Sequence, residues 1–281
     1  MFDSIKNVFK VKEIRIKLLF TFLMMIVIRF GCQLPVPGVD RNYFADWFAQ
    51  QTGDAFSFVD AFTGGSFLNM SVLALNITPY ITSSIIIQLL TIAIPKLEEL
   101  QKEGEEGRKM MTAITRYVTV ALALLESSAM AIGFGRQGLL EEFNALNIIM
   151  VIATLTAGSA FLMWIGEQIT VHGIGNGISI VLCINIISRM PQDIAALFTQ
   201  FVIGKNVAFG ALAAVIIIAV ILLMIILVIL LNDAERKIPV SYAQKINGRR
   251  FTAGQTSVIP LKVNTAGVMP IIFASSLMEF P

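Results

Sequence analysis

The sequence predicts an all-α protein, built as a polytopic bundle of transmembrane helices, and three observations carry that prediction. Of its 281 residues, 56% are hydrophobic and only 14% are charged, whereas a soluble domain has about 25% charged residues. The mean hydropathy of the chain is +0.77. Residues 61–94 and 206–232 contain no Asp, Glu, Lys, Arg or His. An uncharged run of about 18 residues is long enough to cross the hydrocarbon core of a bilayer.

Apolar runs predict six transmembrane spans and the start of a seventh. The first follows a cluster of basic residues, as in a signal peptide, but Arg29 stands where a cleavage site needs small residues, so we expect an uncleaved span. The predicted spans are 18–34, 70–94, 110–133, 147–165, 174–190 and 207–231, with the seventh opening near 263.

The uncharged run 61–94 is longer than one crossing needs at about 1.5 Å per residue, so we expect it to be broken. The residues that interrupt it are Gly64, Gly65, Asn69, Asn76 and Pro79. They favour a short outer helix near 55–63, then a glycine turn, then a true span. Non-helical backbone survives at membrane depth only inside protein or against water. Residues 55–69 are therefore expected to dip into a cavity that is open to the outside.

The basic residues predict a cytoplasmic N-terminus. With that orientation, 15 of the 21 Lys and Arg residues fall on the cytoplasmic side, in the N-terminal segment, in 96–109 and in the loop 232–262. The outer connections hold only Arg41, Arg136, Arg189 and Lys205. This asymmetry is the positive-inside pattern of membrane proteins.

Residue types argue against an enzyme, a metal site or a cofactor. His172 is the only histidine, and Cys32 and Cys183 lie far apart without metal-ligand spacing. The stretch VHGIGNGISIV (171–181) spaces its glycines as G-x-G-x-G, and a dinucleotide-binding loop needs G-x-G-x-x-G. We interpret it as a short cytoplasmic turn between two spans, where glycine allows positive φ and close backbone approach.

Seven stretches of the chain are distinctive as a set. They are LPVPGVD (34–40), FTGGSFLNMSVLALNITPYITSSIIIQLL (62–90), KEGEEGRKM (102–110), TRYVTVALAL (115–124), FLMWIGEQITVHGIGNGISI (161–180), ERKIPVSYAQKINGRR (235–250) and PLKVNTAGVMPIIFASSLMEFP (260–281). Together they resemble the SecY family of protein-conducting channels, and they occur in the family's order.

The resemblance implies a channel of ten spans in two pseudo-symmetric halves of five. Residues 1–190 would form the first half, and residues 191–281 would begin the second with the sixth span, the docking loop 232–262 and the start of the seventh. The last three spans would be absent, as in a fragment. The implied function is the central pore of a translocase in the bacterial cytoplasmic membrane, which moves unfolded secretory polypeptides across and releases apolar segments sideways into lipid. The implied partners are SecE, SecG, the motor ATPase SecA, the ribosome and signal-bearing polypeptides.

The resemblance also implies four groups of site residues. An aliphatic pore ring, which would exclude ions by dewetting, comprises Ile77, Ile81, Ile178, Leu182 and Ile272. A plug at 55–66 would hinge at Gly64 and Gly65, although an ordinary interfacial helix is the alternative. A lateral gate would be lined by Thr82, Ser83, Ser84 and a segment near Phe280, although such hydroxyls also join helices. Docking of the ribosome or SecA would use Arg249 and Arg250, although positive charge is expected on that side anyway.

Two residues depart from the family pattern. His172 stands where a basic residue is common, and Glu126 falls within the third span where a neutral glutamine is expected. An intramembrane acid is by default a functional hypothesis. The alternative function is therefore an ion-coupled secondary transporter that uses Glu126, Arg116 and the broken span. We expect Glu126 to face the bundle interior, protonated or wetted, and not to pair with Arg116.

Overall fold

The computed structural model describes residues 11–39, 43–44, 60, 63–140, 143–201, 207–241, 246–247, 250–251, 256–265, 267 and 274. Seven helices lie within them: α1 (Lys12–Gly31), α2 (Thr78–Ala93), α3 (Pro95–Lys102), α4 (Glu105–Arg136), α5 (Ala145–His172), α6 (Gly177–Phe201) and α7 (Val207–Asp233). Four strands follow: β1 (Glu235–Ser241), β2 (Ile246–Asn247), β3 (Arg250–Phe251) and β4 (Thr256–Lys262). The chain divides into two compact units, Met1–Asp193 and Ile194–Pro281. The predicted helical bundle is confirmed.

Among the described residues, four helices are long and apolar enough to cross a membrane, namely α4, α5, α6 and α7. Helices α2 and α3 make a fifth candidate as a pair bent by 105°. The bend lies at Ile94, which is extended with φ −113° and ψ 111° because Pro95 follows it. The chain is therefore a multi-pass membrane protein, as the apolar runs predicted.

The second predicted span begins later than expected. Helix α2 starts at Thr78 and not near residue 70, and a series of turns covers residues 63–77, which we name the turn segment. The 16 residues of α2 span about 24 Å at 1.5 Å per residue, less than the roughly 30 Å of hydrocarbon. Helix α2 alone is therefore too short for one crossing, and the predicted break is confirmed, although its turns extend to residue 77.

Contacts that are distant in sequence explain the late start of α2. The Val72 N–H donates to the Leu34 carbonyl at 2.9 Å, and the Val36 N–H donates to the Met70 carbonyl at 3.0 Å. Asn76 has a φ of 52°, in the left-handed region that interrupts a helix. Because these hydrogen bonds link the turn segment to residues that follow α1, hydropathy along the run could not reveal them.

Two apolar clusters form the core of the first unit. One contains buried residues from α4, α5 and the turn segment, including Phe67, Met70, Ala123 and Leu155. The other joins α1, α5, α6 and the start of α2, with Ile28, Ile77, Leu162, Ile169 and Val181 at its centre. In lipid, helices associate through such packing and not through exclusion of water.

Glycines of α5 and α6 bring backbones into direct contact. A β-carbon at Gly158 would lie 1.9 Å from the Val72 carbonyl oxygen, and one at Gly177 would lie 1.9 Å from the Gly166 carbonyl oxygen. Small residues permit this approach between membrane helices. Gly158 therefore fixes how the turn segment lies on α5, and Gly177 fixes how α6 lies on α5.

Other features also differ from the prediction. The fourth span was predicted to end at residue 165 and the fifth at 190, but α5 continues to His172 and α6 continues through Pro191 to Phe201. The loop 232–262 was predicted within an all-α fold, yet β1 and β4 form an antiparallel ladder from Glu235↔Lys262 to Ser241↔Thr256. Each of these strands contains a proline, which is tolerated at the edge of a sheet because its missing N–H faces outwards.

Candidate functional site

Four of the five predicted ring residues meet in one apolar cluster. Ile77 is 0% exposed, and Ile81, Ile178 and Leu182 pack against the cluster that contains it. Ile77 caps the start of α2, and the Ile81 N–H donates to its carbonyl at 3.1 Å, so the two remain one turn apart. Ile272 lies outside the described residues. Complete burial of Ile77 also fits an ordinary core position, so the ring stays a prediction.

The predicted hinge glycines begin the turn segment. Gly64 and Gly65 have φ values of 66° and 84°, which glycine adopts without steric cost. A β-carbon at Gly64 would lie 2.6 Å from the carbonyl oxygen of Asn185, so this backbone rests directly on α6. Of the predicted plug 55–66, only residues 60 and 63–66 fall within the described residues. The glycine turn is confirmed, and the plug stays a prediction.

Asp60 organises the first turns of this segment. Its carboxylate is completely buried. The Leu68 N–H donates to Oδ1 at 3.0 Å, and the Thr63 hydroxyl donates to the same oxygen at 3.3 Å. The Gly65 N–H also donates to the Asp60 carbonyl at 3.2 Å. Hydrogen bonds to an ionised carboxylate are stronger than neutral ones, so Asp60 holds the chain folded back between residues 60 and 68.

A polar network joins the turn segment to α1 and α6. Arg189 of α6 forms an ion pair with Asp60. One turn earlier in α6, Asn185 donates its amide to Asn76 Oδ1 at 2.8 Å and accepts a hydrogen bond of 3.3 Å from Arg29 of α1. Sequence reasoning missed this network, since it assigned Arg189 only to the outer connections. The available signal was the i,i+4 spacing of Asn185 and Arg189, which puts both on one helix face.

The three predicted gate residues of α2 differ in their surroundings. Ser83 is fully buried and shares a hydrogen bond of 2.6 Å with the Thr119 hydroxyl of α4. Thr82 and Ser84 are partly exposed, and Phe280 lies outside the described residues. Ser83 thus joins two helices, as buried hydroxyls in membrane bundles commonly do. Assignment of the gate stays a prediction.

The glycine-rich stretch is a turn between two spans, as predicted. Helix α5 ends at His172 and α6 begins at Gly177. The first amides of α6 bind side chains of the chain itself: the Ile178 N–H donates to Asn176 Oδ1 at 3.0 Å, and the Gly177 N–H donates to the Thr170 hydroxyl at 2.9 Å. Because these amides already have partners, the turn is poorly suited to hold a phosphate.

Arg116, a charged residue within the spans, has a partner that the sequence did not predict. Arg116 Nε donates to Glu167 Oε1 at 2.7 Å, which joins α4 to α5. Glu126 is partly buried, and the His172 ring lies 5.8 Å from the ring of Phe20. In the part of the chain that the structure describes, no cluster of His, Cys, Asp or Glu residues is placed to hold a metal ion.

Charged residues also lie in α3 and in the strands. In α3, Lys102 donates a hydrogen bond of 2.6 Å to Glu98 Oε1. In the strand region, Arg250 pairs with Asn247 across the short β2–β3 ladder. Arg249, the other predicted docking residue, lies outside the described residues.

The family model and the relatives that match this chain point to the same family. The SecY family model matches residues 71–281. The protein translocase subunit SecY of Halalkalibacterium halodurans is 41% identical over 100% of this chain and 66% of its own length. The protein of the same description from Pseudomonas aeruginosa is 42% identical over 96% of this chain and 60% of its own length. The chain thus spans about 60–66% of these relatives.

Solved structures share the fold. A protein-conducting channel aligns with a TM-score of 0.59 and 18% identity, covering 98% of this chain and 61% of that one. Sec61 from a canine ribosome–channel complex of the endoplasmic reticulum gives the same TM-score and the same coverage. None of these relatives and structures is an ion-coupled transporter, so they give no support to the alternative built on Glu126. With its family model, its relatives and its fold in agreement, the chain belongs to the SecY family.

Proposed function

We propose that this chain works in a protein translocation channel, moving unfolded, signal-bearing polypeptides across the bacterial cytoplasmic membrane and releasing apolar segments into lipid. The observation that carries the proposal is identity of 41% to a curated translocase subunit along the whole chain. An unfolded chain cannot cross hydrocarbon unaided, because each unsatisfied backbone group costs several kcal/mol there. The channel supplies a wet path and must still exclude ions.

The proposed barrier to ions is the aliphatic waist, closed on its outer side by the plug. Ile77, Ile81, Ile178 and Leu182 already share one apolar cluster, and Ile272 of the seventh span would complete the ring. A narrow apolar constriction excludes ions by losing its water. The positive φ values of Gly64 and Gly65 support a hinge at the start of the turn segment.

The proposed exit to lipid lies along α2. Thr82 and Ser84 remain partly exposed on this helix and would face the seventh span near Phe280. Ser83 would anchor the same helix to α4 through its hydrogen bond to Thr119.

The proposed docking surface is the strand region with its basic tip, facing the cytoplasm together with the N-terminus. Arg249 and Arg250 suit RNA phosphates or acidic protein faces, through contacts that weaken as salt rises. The fold shared with Sec61 from a ribosome–channel complex supports the ribosome as one partner. SecA, SecE and SecG are the further partners we propose.

Reconstituted transport tests the function. The full-length protein that contains this sequence would be placed in proteoliposomes with SecE, SecG, SecA and ATP. We expect a signal-bearing precursor to become protected from protease only when ATP and the signal are both present. Absence of that protection would contradict the proposal. Ion-coupled uptake of a small solute would instead favour the transporter.

The same vesicles test the waist. Serine at Ile77, Ile81, Ile178 and Leu182 should raise resting ion conductance, because a polar waist stays wet. Serine at Ile87, a buried residue of α2 outside the ring, is the matched control. Equal conductance in the parent and the ring variant would show that these four residues do not form the barrier to ions.

Charge reversal tests docking. Arg249→Glu/Arg250→Glu should weaken ribosome or SecA binding and flatten its salt dependence, while membrane insertion is kept. Reversal of Arg236 and Lys237, which lie in β1, controls for net charge. If both partners bind unchanged across a salt titration, Arg249 and Arg250 determine only the membrane topology and not docking.

A further inference from the structure

We propose that Asp60 and Arg189 form an ion-pair latch that holds the turn segment against α6 and must open whenever that segment leaves α6. The inference that this latch controls channel opening rests on the proposed function, because that function assigns the start of the turn segment to the plug. The pair itself is a property of the described residues.

The burial of Asp60 gives the pair its strength. The Asp60 side chain is 0% exposed, whereas the Arg189 side chain is 20% exposed. A buried carboxylate without a counter-charge is strongly unfavourable, so removal of either partner destabilises the arrangement around the other. Asp193 also contacts Arg189, at 3.5 Å, but it is 56% exposed. Water screens that second pair, so the two carboxylates differ in how firmly they hold the same arginine.

The latch acts on the whole start of the turn segment because Asp60 has two functions. The carboxylate that pairs with Arg189 also accepts hydrogen bonds from the Leu68 N–H and the Thr63 hydroxyl. Displacement of the segment from α6 therefore leaves a buried carboxylate without its counter-charge, or unfolds the turns that this carboxylate organises. Either result costs free energy, so the arrangement with the turn segment against α6 is favoured.

Asn185 supports the latch on the same face of α6. It binds the Asn76 side chain, and its backbone carries the close contact with Gly64. Arg29 of α1 donates hydrogen bonds to the side chains of Asn185 and Ser188. The ion pair thus lies at one end of a continuous series of polar contacts that joins the turn segment to α6 and α1.

A native thiol reports whether the segment is in place. Cys32, at the C-cap of α1, is buried, and the Ser66 hydroxyl lies 3.6 Å from its sulfur. Displacement of the turn segment would uncover this thiol. Cys183 is exposed, so it must be replaced before Cys32 can be followed alone.

The experiment measures the reaction of Cys32 with a small water-soluble maleimide. It uses the full-length protein assembled with its membrane partners, in a background where every other thiol, including Cys183, is serine. No motor or substrate is added. Asp60→Asn and Arg189→Gln should each speed the reaction about tenfold, because each breaks the buried pair. Arg189→Lys, which keeps the charge, and Asp193→Asn, the matched control, should stay near the parent rate.

The double variant Asp60→Asn/Arg189→Gln decides whether the two residues act as a unit. A double variant that reacts no faster than either single variant would show a shared interaction. Fully additive rates, an equal increase in Asp193→Asn, or unchanged rates in both single variants would overturn the latch. If Asp60→Asn does not fold, the contrast between Arg189→Gln and Arg189→Lys decides. Transport is measured separately, so failure of the proposed function and failure of the latch are distinguishable.

Discussion

The turn segment and the α4–α5 helix pair lie in the same bundle but are held by different forces. Helices satisfy their own backbone groups, so α4 and α5 need only apolar packing and a few polar contacts such as Ser127–Thr156 and Arg116–Glu167. The turn segment has no helix to satisfy its backbone. Local turns satisfy part of it, as where the Ser71 N–H donates to the Ser66 carbonyl at 3.0 Å. Other groups bind outside these turns, to the Leu34 carbonyl and to Asp60, and Asn185 binds the Asn76 side chain.

The difference teaches where polar residues matter in a membrane bundle. Non-helical backbone at membrane depth must find partners inside the protein, so the polar side chains around the turn segment are structural requirements. On regular helices, similar side chains add only modest stability, since double-mutant measurements average about 0.6 kcal/mol for a hydrogen bond between helices.

The largest expected effect is at the contact between the two regions. Gly158→Val would put a β-carbon where only 1.9 Å separates it from the Val72 carbonyl oxygen. We expect the free energy of unfolding to fall by about 3 kcal/mol, as overpacking that forces backbone to move does. Chemical denaturation in detergent micelles measures this. Gly133→Val on α4, where a β-carbon meets nothing within 4 Å, is the control, and equal losses would refute the close contact.

A smaller loss is expected at Asn185. Asn185→Leu removes the amide that binds Asn76 and accepts from Arg29. Leaving buried polar partners unsatisfied costs about 1–3 kcal/mol. Denaturation under the same conditions should show that loss, whereas Ile187→Leu on the exposed side of α6 should change little. Asn185→Leu with parent stability would mean that the polar network does not hold the turn segment.

The smallest effect should come from the regular helix pair. Ser127→Ala breaks the hydrogen bond to Thr156, and the expected cost is about 0.6 kcal/mol because packing between α4 and α5 remains. Ser128→Ala, whose hydroxyl bonds only the Leu125 carbonyl of its own helix, is the matched control. A loss as large as that of Asn185→Leu would erase the contrast between the two regions.

Much of the site was within reach of the sequence where its signal was local. Gly64 and Gly65 marked a real turn, and the glycines after His172 marked the connection of two spans. The resemblance supplied Ile77, Ile81, Ile178 and Leu182, and the i,i+4 spacing within each pair agrees with their place in one cluster. Their role as a ring stays a prediction. The strands within 232–262 were missed, although short runs of alternating apolar and polar residues with a turn signal between them are their usual mark.

By itself the sequence determined the class of protein, its family and the presence of a break in the second span, because hydropathy and turn residues act locally along the chain. Tertiary structure decided where α2 begins and which polar groups meet. The Asn185–Asn76 contact joins residues 109 positions apart, and Arg116–Glu167 joins residues 51 apart. A lone polar residue in an apolar run shows that it needs a partner. Which partner it finds depends on how the helices pack.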